Sequence, residues 1–189
     1  LVATCRQMNA TGINQGTAGN LSMRMGGGFL ITPSSLPYDT MKPEDIVEMA
    51  FDGTYVGRRP SSEWRFHRDI LQHRTDIDVV LHCHSVYATT LAIHHKTIPS
   101  FHYMTGIAGG TTIRCARYAT FGTQALSDAA IEALEGRLAC LLGQHGQPQS
   151  APIADALVPI EPPVSAEEDT AFGDDTIAAE DAFDDDSYT

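Results

Sequence analysis

Hydrophobic residues recur along this chain with two periods, one helical and one alternating, so the sequence predicts a fold of mixed helices and strands. The predicted helices comprise residues 2–10, 63–73, 86–93 and 124–134. Short apolar or β-branched runs predict strands at residues 29–32, 46–49, 55–56, 78–84, 98–103 and 138–142. Residues 14–22 and 106–110 are rich in small side chains and are interpreted as loops. Strands mixed with helices in this way favour an α/β sandwich.

The charge is distributed unevenly, and this changes the interpretation of the end of the chain. The 189 residues include 12 Lys and Arg against 24 Asp and Glu, a net charge of −12. Residues 1–147 contain all 12 basic residues and 12 acidic ones, so the whole imbalance lies in residues 148–189. Five of the ten prolines lie there as well. We therefore expect one domain over residues 1–147 and an acidic, proline-rich, disordered tail over residues 148–189.

Composition also excludes several partners. The surplus of acidic residues argues against binding to a nucleic-acid backbone. No apolar run approaches the roughly 20 residues that span a bilayer, which argues against a membrane partner. The four cysteines are widely spaced and form no C-x-x-C motif, which favours a reducing compartment. The sequence therefore predicts a cytoplasmic protein.

Two histidines at the end of the predicted strand 78–84 could bind one metal ion. Side chains two residues apart on a strand project from the same face, so His82 and His84 would point together while Cys83 faces away. The alternative is one exposed and one core histidine, and the H-x-H pattern alone does not decide between them. His145 follows a predicted buried strand and precedes a glycine, so it offers a third ligand. Three histidines with an open fourth position are typical of a catalytic zinc site.

The other histidines are less informative. His94 and His95 are adjacent, so they cannot both face one site on a helix. His67 and His73 lie on the predicted helix 63–73, which has the pattern of a surface helix. These four are interpreted as solvent-exposed or packing residues, whereas the role of His102 stays open.

Three segments of small polar residues could surround an anion. Glycine-rich turns expose backbone N–H groups, hydroxyl groups add donors, and a helix N-terminus adds partial positive charge. The candidate side chains are those of Thr17, Asn20, Ser34, Ser35, Ser61 and Ser62. An ordinary loop, a turn and a helix cap explain each segment on its own. Glu63 follows the last segment, where it either complements the helix dipole or acts as a general base.

Seven short motifs, taken together in their order and spacing, are more specific than any one of them. They are NQGTAGNLS, ITPSSLPY, PSSEWRFH, HCHS, HYM followed by AGG, YATFGT and QHG. Over residues 3–146 this set closely resembles the class II aldolase/adducin family. The resemblance implies a three-layer α/β sandwich with a central, largely antiparallel sheet flanked by helices. It also implies a homotetramer with active sites at the subunit interfaces.

The resemblance further implies a role for each candidate residue. The implied Zn²⁺ ligands are His82, His84 and His145. Glu63 would be the base beside the metal. The residues that would surround the substrate phosphate are Thr17, Asn20, Ser34, Ser35, Ser61 and Ser62. Tyr103, contributed by the neighbouring subunit, would protonate or stabilise the aldehyde oxygen, and Phe121 would line the aldehyde end of the pocket.

The implied reaction is the reversible cleavage of a small phosphorylated sugar, a ketose 1-phosphate, into dihydroxyacetone phosphate and an aldehyde. L-fuculose 1-phosphate is the first candidate substrate. Zinc would stabilise the negative charge, so no Schiff-base lysine is required, and Lys42 and Lys96 both lie outside the candidate motifs.

Other activities of similar proteins remain as alternatives. Pentulose-phosphate 4-epimerases usually carry Asp in place of Glu63, and methylthioribulose-1-phosphate dehydratases share the zinc site. An adducin-like assembly module keeps the fold but lacks the metal ligands, so the three retained histidines argue against it here.

The resemblance ends at Gly146. Relatives continue with an apolar strand and a long packed helix, whereas this chain continues with Gln147 and Pro148. Proline cannot donate a backbone hydrogen bond to a sheet. The domain over residues 1–147 is therefore expected to be incomplete at its C-terminus, which predicts a chain that is poorly stable, weakly assembled or inactive.

Overall fold

A computed structural model describes residues 1–145 and the backbone of residues 156–160. The helices in these ranges are Val2–Ala10 (α1), Trp64–His73 (α2), Val86–Ile93 (α3) and Gln124–Leu134 (α4). The strands are Asn20–Met25 (β1), Gly28–Ile31 (β2), Val47–Ala50 (β3), Tyr55–Val56 (β4), Val79–Cys83 (β5), Arg114–Ala116 (β6), Cys140–Leu142 (β7) and Ala156–Ile160 (β8). Two 3₁₀ turns comprise Pro43–Asp45 and Tyr103–Ala108.

The described strands form one sheet in the order β4-β3-β2-β1-β5-β8-β7-β6. Strands β6 and β7 are parallel, and the other pairings among these strands are antiparallel. The predicted hairpin between β3 and β4 is present. The architecture confirms the predicted α/β sandwich with a central, largely antiparallel sheet flanked by helices.

Each face of the sheet packs against its own hydrophobic core. The larger core joins side chains of α2 and α4 to the strands, and the smaller core joins α1 to the opposite face. Neighbouring residues of β5 show the division: Val80 belongs to the larger core, whereas Leu81 and Cys83 belong to the smaller one. This alternation follows from the two-residue period of a strand. Within the described residues, every helix is too short or too polar to cross a bilayer.

Two parts of the sheet differ from the sequence prediction. Strand β1 begins at Asn20, inside the segment that was predicted to be a loop. The small residues before and at its start give no clear period in the sequence. The strand predicted at residues 98–103 is wrong, since Ile98 makes only an isolated bridge to Ile113 and the chain then turns into a 3₁₀ segment. Strand β6 was not predicted, because three residues are too few to show a period.

Strand β8 lies in the segment that was expected to be a disordered tail. It pairs antiparallel with both β5 and β7 and closes the gap between them. Residues 156–160 are thus extended and paired within the segment that the sequence predicts to be disordered, and the rest of that segment lies outside the described residues. The segment ALVPI carries no charge, unlike the residues around it, and an averaged composition conceals this. Both neighbouring strands offer unpaired backbone groups that an extended segment can satisfy.

Candidate metal centre and active site

The end of β5 brings two histidines to one face of the sheet. The ring centroids of His82 and His84 lie 4.7 Å apart, and both side chains are buried. Cys83 packs into the smaller core on the opposite face. This is the arrangement that the H-x-H spacing predicts. Asn14 fixes the strand end, because its Oδ1 accepts a hydrogen bond from the His84 backbone N–H at 3.2 Å.

His145 reaches the same place from a turn after β7. The Gly143 N–H donates to the Ala116 carbonyl at 3.1 Å, and the Gln144 N–H donates to the Ala92 carbonyl at 3.2 Å. A Cβ at Gly143 would lie 2.4 Å from the Ala116 oxygen, so this close approach requires glycine. The turn buries His145 and places its ring centroid 5.6 Å from that of His82. The three histidines that the sequence predicts as ligands therefore converge.

Glu63 lies between two of these histidines, directly before α2. Its Oε1 is 2.5 Å from His145 Nε2, and its Oε2 is 3.0 Å from His82 Nδ1. One potential ligand atom from each of Glu63, His82 and His145 lies within 4.8 Å of the others. The tightest group in the described residues thus contains the carboxylate, with His84 next to it, rather than the three histidines alone.

The surroundings of Glu63 keep it ionised. Burial by itself raises the pKa of the carboxyl, but the charge of His82 and hydrogen bonds from His145 and His82 outweigh it, so the pKa lies well below the usual range. A buried carboxylate among imidazoles can bind a cation or accept a proton. Imidazole nitrogen and carboxylate oxygen together are a donor set that zinc accepts, so these residues fit a divalent metal ion.

Asn20 lies next to the carboxylate. Its Nδ2 donates to Glu63 Oε2 at 2.9 Å, and its Oδ1 is 3.3 Å from His82 Nδ1. The residue is buried on β1, directly opposite His82 in the ladder between β1 and β5. Asn20 was predicted to contact a phosphate group, whereas its contacts in this structure are with Glu63 and the histidines.

The two serine pairs predicted at an anion site lie on adjacent segments. The Ser34 N–H donates to the Arg59 carbonyl at 2.9 Å, and the Ser61 N–H donates to the Thr32 carbonyl at 3.0 Å. These two backbone N–H groups are therefore engaged, and the donors that Ser34 and Ser61 could offer a phosphate are their hydroxyl groups. Ser35 has a φ of 59°, the left-handed region that glycine occupies more readily.

The helix cap next to these serines differs from the predicted one. The residue that caps α2 is Glu63 rather than Ser61 or Ser62. The Ser61 hydroxyl instead accepts from the Glu63 N–H at 3.3 Å, which ties the serine segment to the carboxylate. Ser62 lies against the loop that carries Phe121, because a Cβ at Gly122 would lie 2.8 Å from the Ser62 carbonyl oxygen.

Three predicted site residues are exposed in a single copy of the chain. Tyr103 is 79% exposed on a 3₁₀ turn, and Phe121 is 62% exposed. Thr17 is also exposed, in the loop before β1. The loop itself is packed tightly against the histidine strand, since a Cβ at Gly19 would lie 2.5 Å from the His82 carbonyl oxygen.

His67 was interpreted as a solvent-exposed or packing residue, and the structure shows that it is not exposed to solvent. Its side chain is fully buried, with Nδ1 2.7 Å from Ser22 Oγ and Nε2 2.5 Å from Asn20 Oδ1. A signal for this was present in the sequence. His67 follows Glu63 by four residues and lies next to Phe66, so it shares the buried face of the helix.

Comparison with known proteins gives consistent matches. Residues 1–148 match the family described as "Class II Aldolase and Adducin N-terminal domain". A 5-methylthioribulose-1-phosphate/5-deoxyribulose-1-phosphate aldolase of Rhodospirillum rubrum is 52% identical over 147 residues, 77% of this chain and 66% of that protein. An L-fuculose phosphate aldolase of Escherichia coli strain K12 is 46% identical over 147 residues, 77% of this chain and 68% of that protein. The chain thus spans about two thirds of the length of these relatives.

Solved structures agree with the fold. One L-fuculose 1-phosphate aldolase superposes with a TM-score of 0.78 at 37% identity, covering 86% of this chain and 74% of that chain. An l-fuculose-1-phosphate aldolase from Thermus thermophilus superposes with a TM-score of 0.68 at 26% identity, covering 83% of this chain and 75% of that chain.

Proposed function

Because this chain belongs to the class II aldolase and adducin family, and its fold and relatives support an aldolase, a carbon–carbon lyase, we propose that it reversibly cleaves a ketose 1-phosphate. The products would be dihydroxyacetone phosphate and an aldehyde. One observation carries the proposal: the buried Glu63 carboxylate lies within 3.0 Å of His82 and within 2.5 Å of His145.

The metal ligands in this proposal are His82, His84 and His145, with Glu63 beside them. When bound, Zn²⁺ supplies Lewis acidity that stabilises negative charge developing on the substrate's carbonyl oxygen. The convergence of the three histidines and the donor chemistry of the group support this assignment.

Glu63 moves a proton in this proposal. In condensation the carboxylate removes a proton from the carbon next to the ketone, and in cleavage it returns that proton. Its low pKa supports the ionised form that condensation requires. Its side chain is buried and therefore largely withdrawn from bulk water.

The substrate phosphate would bind at the serine segments. Hydroxyl groups of Ser34, Ser35, Ser61 and Ser62 would donate to its oxygens, with Thr17 and Asn20 at the same end of the pocket. The connection from Ser61 through the Glu63 N–H supports this arrangement, because it joins the anion site to the base. The N-terminus of α2 adds favourable partial charge.

Tyr103 and Phe121 would act between subunits. We propose that Tyr103 of one copy stabilises the aldehyde oxygen in the site of its neighbour, and that Phe121 lines the aldehyde end. Both rings are largely exposed in the single chain, as are Tyr87 and Phe101, and such exposed aromatic side chains are typical of an interface. This supports a contact between copies of the chain, as the proposed homotetramer requires.

The candidate substrates come from the relatives. Their names specify L-fuculose phosphate on the one hand and 5-methylthioribulose 1-phosphate or 5-deoxyribulose 1-phosphate on the other. All of these sugars are ketose 1-phosphates when L-fuculose is phosphorylated at its first carbon. They differ in the aldehyde that cleavage releases. The proposal therefore covers this class, with L-fuculose 1-phosphate as the first candidate.

The test is product analysis with purified full-length chain. The protein is incubated with each ketose 1-phosphate, with ribulose 5-phosphate and with added Zn²⁺ or a chelator, and released dihydroxyacetone phosphate is measured with a coupled reductase. We expect release that the chelator abolishes, loss of bound zinc in His82→Ala, and loss of turnover with retained zinc in Glu63→Gln. His73→Ala, on the exposed side of α2, is the matched control.

Other products would replace the proposal. Interconversion of pentulose phosphates without triose phosphate would indicate an epimerase, and loss of water from methylthioribulose 1-phosphate would indicate a dehydratase. If the zinc-loaded protein released no dihydroxyacetone phosphate from any of these sugars, the aldolase assignment would be rejected for this chain.

A further inference from the structure

Three buried polar side chains form a continuous connection behind Glu63. Ser22 Oγ lies 2.7 Å from His67 Nδ1, His67 Nε2 lies 2.5 Å from Asn20 Oδ1, and Asn20 Nδ2 lies 2.9 Å from Glu63 Oε2. All four side chains are buried. Buried polar groups are stable only when they are hydrogen-bonded, so each of these side chains depends on its neighbour for a hydrogen-bond partner.

Hydrogen-bond chemistry fixes the direction of this connection. The Glu63 carboxylate only accepts, so the Asn20 amide must turn its NH₂ group towards it and its oxygen towards His67. The amide oxygen also only accepts, so His67 must carry its proton on Nε2. Nδ1 lies at the Ser22 hydroxyl, which can donate to it when the ring is neutral. In a neutral ring the connection therefore selects the tautomer with its proton on Nε2.

The backbone geometry explains why the residues meet. Glu63, which caps α2, and His67 within that helix are four residues apart, a separation of about 6 Å along a helix face. Asn20 and Ser22 are two residues apart on β1, about 7 Å along a strand face. The two spacings are similar, so the side chains of Glu63 and His67 can contact those of Asn20 and Ser22, respectively. Phe66 stacks on His67 with a centroid distance of 4.6 Å and limits ring rotation.

The charge state of His67 agrees with this geometry. Burial lowers the pKa of the imidazole to about 3, with a further lowering from His82 and an opposing effect from Glu63. A neutral ring has one proton to donate, and the contact with Asn20 determines which nitrogen carries it.

We propose that His67 is a positioning residue, whose Nε2–H orients the Asn20 amide and thereby holds the Glu63 carboxylate between His82 and His145. The role of the held carboxylate rests on the proposed function, whereas the hydrogen-bonded connection does not. The competing explanation is a buried histidine that only fills space beside Phe66.

The test uses two neutral polar variants of the same position. In His67→Gln the amide nitrogen can occupy the place of Nε2, whereas in His67→Asn the shorter side chain ends near the place of Nδ1. We expect His67→Asn to lower zinc affinity, measured by chelator competition, by roughly 10- to 100-fold, because the Asn20 amide that His67 orients also contacts the proposed ligand His82, 3.3 Å from its Nδ1. We expect kcat to fall as well with KM nearly unchanged, and His67→Gln to restore both values to within roughly fivefold. His73→Gln is the matched control on the same helix.

A second readout needs neither metal nor substrate. The ¹⁵N spectrum of the His67 ring should show the proton on Nε2, and Asn20→Ala should broaden or shift that signal. A proton on Nδ1, or equal zinc affinity in His67→Asn, His67→Gln and the parent, would overturn the proposal. If no sugar phosphate is cleaved but zinc affinity and the ring spectrum behave as expected, the proposed function fails while the role of His67 stands.

Discussion

Asn20 faces His82 across the ladder between β1 and β5, and from that position its amide contacts both the histidine and Glu63. A strand residue thus joins two residues that are far apart in the sequence, at positions 63 and 82. The contact connects the sheet to the start of α2. The chemistry of the centre therefore depends on the register of two strands, since a shift by one residue would turn Asn20 to the opposite face.

The stability of the protein should fall in mild acid because of His67. The folded pKa is about 3 against an ordinary value of 6.5, so below pH 6.5 the unfolded chain binds a proton that the folded chain excludes. Between pH 7.5 and pH 5 this difference should remove about 2 kcal/mol of unfolding free energy. His67→Gln should lack that part of the decrease. Urea unfolding of both metal-free proteins at the two pH values measures it, and equal decreases would show that His67 titrates normally in the fold.

Gly19 should not tolerate a side chain. A Cβ there would lie 2.5 Å from the His82 carbonyl oxygen and 2.6 Å from Asn14 Oδ1. Gly19→Ala should therefore reduce the unfolding free energy by about 1–3 kcal/mol. It should also weaken zinc binding, because Asn14 holds the His84 backbone. The control is Gly27→Ala, where a Cβ would meet no atom within 4 Å. Similar melting temperatures of the two variants would contradict the close contact.

Two variants of Ser35 should show separately how backbone strain affects stability and how the hydroxyl group affects phosphate binding. Its φ of 59° favours glycine, so Ser35→Gly should leave stability unchanged or raise it by up to about 1 kcal/mol. Ser35→Ala keeps the strain and should be less stable than Ser35→Gly. Both variants lack the hydroxyl, so both should raise KM for a sugar phosphate to a similar extent. Thermal unfolding and steady-state kinetics test the two effects, and an unchanged KM in both would remove Ser35 from the phosphate site.

Strand β8 should contribute much of the stability of the sheet. It pairs with five residues of β5 and also with β7, so its removal would leave one edge of each of these two strands unpaired in the middle of the sheet. A chain ending at residue 150 should lose about 3 kcal/mol or more relative to one ending at residue 165, given about 1 kcal/mol for each lost backbone hydrogen bond. Denaturant unfolding compares the two chains. Equal midpoints would show that residues 156–160 do not stabilise the domain.

Local periodicity was sufficient to predict a large part of the fold. All four helices and the strand that carries His82 follow from the spacing of apolar residues, because a helix or strand face is set within one or two turns of chain. The convergence of His82 and His84 follows in the same way from their separation of two residues. Strands β1, β6 and β8 escaped prediction for different local reasons. Small residues open β1, β6 has only three residues, and the charged residues around β8 conceal its uncharged segment.

The motifs of the chain establish which residue types could act: three histidines, a carboxylate and several hydroxyl groups, in an order specific enough to predict the family. How these residues meet depends on the fold. It placed the Glu63 carboxylate between His82 and His145, brought the Asn20 amide to that carboxylate, and buried His67 behind both. The physical reason is that such contacts depend on the register of β1 against β5 and on the position of α2 above them. Neither is set by local spacing.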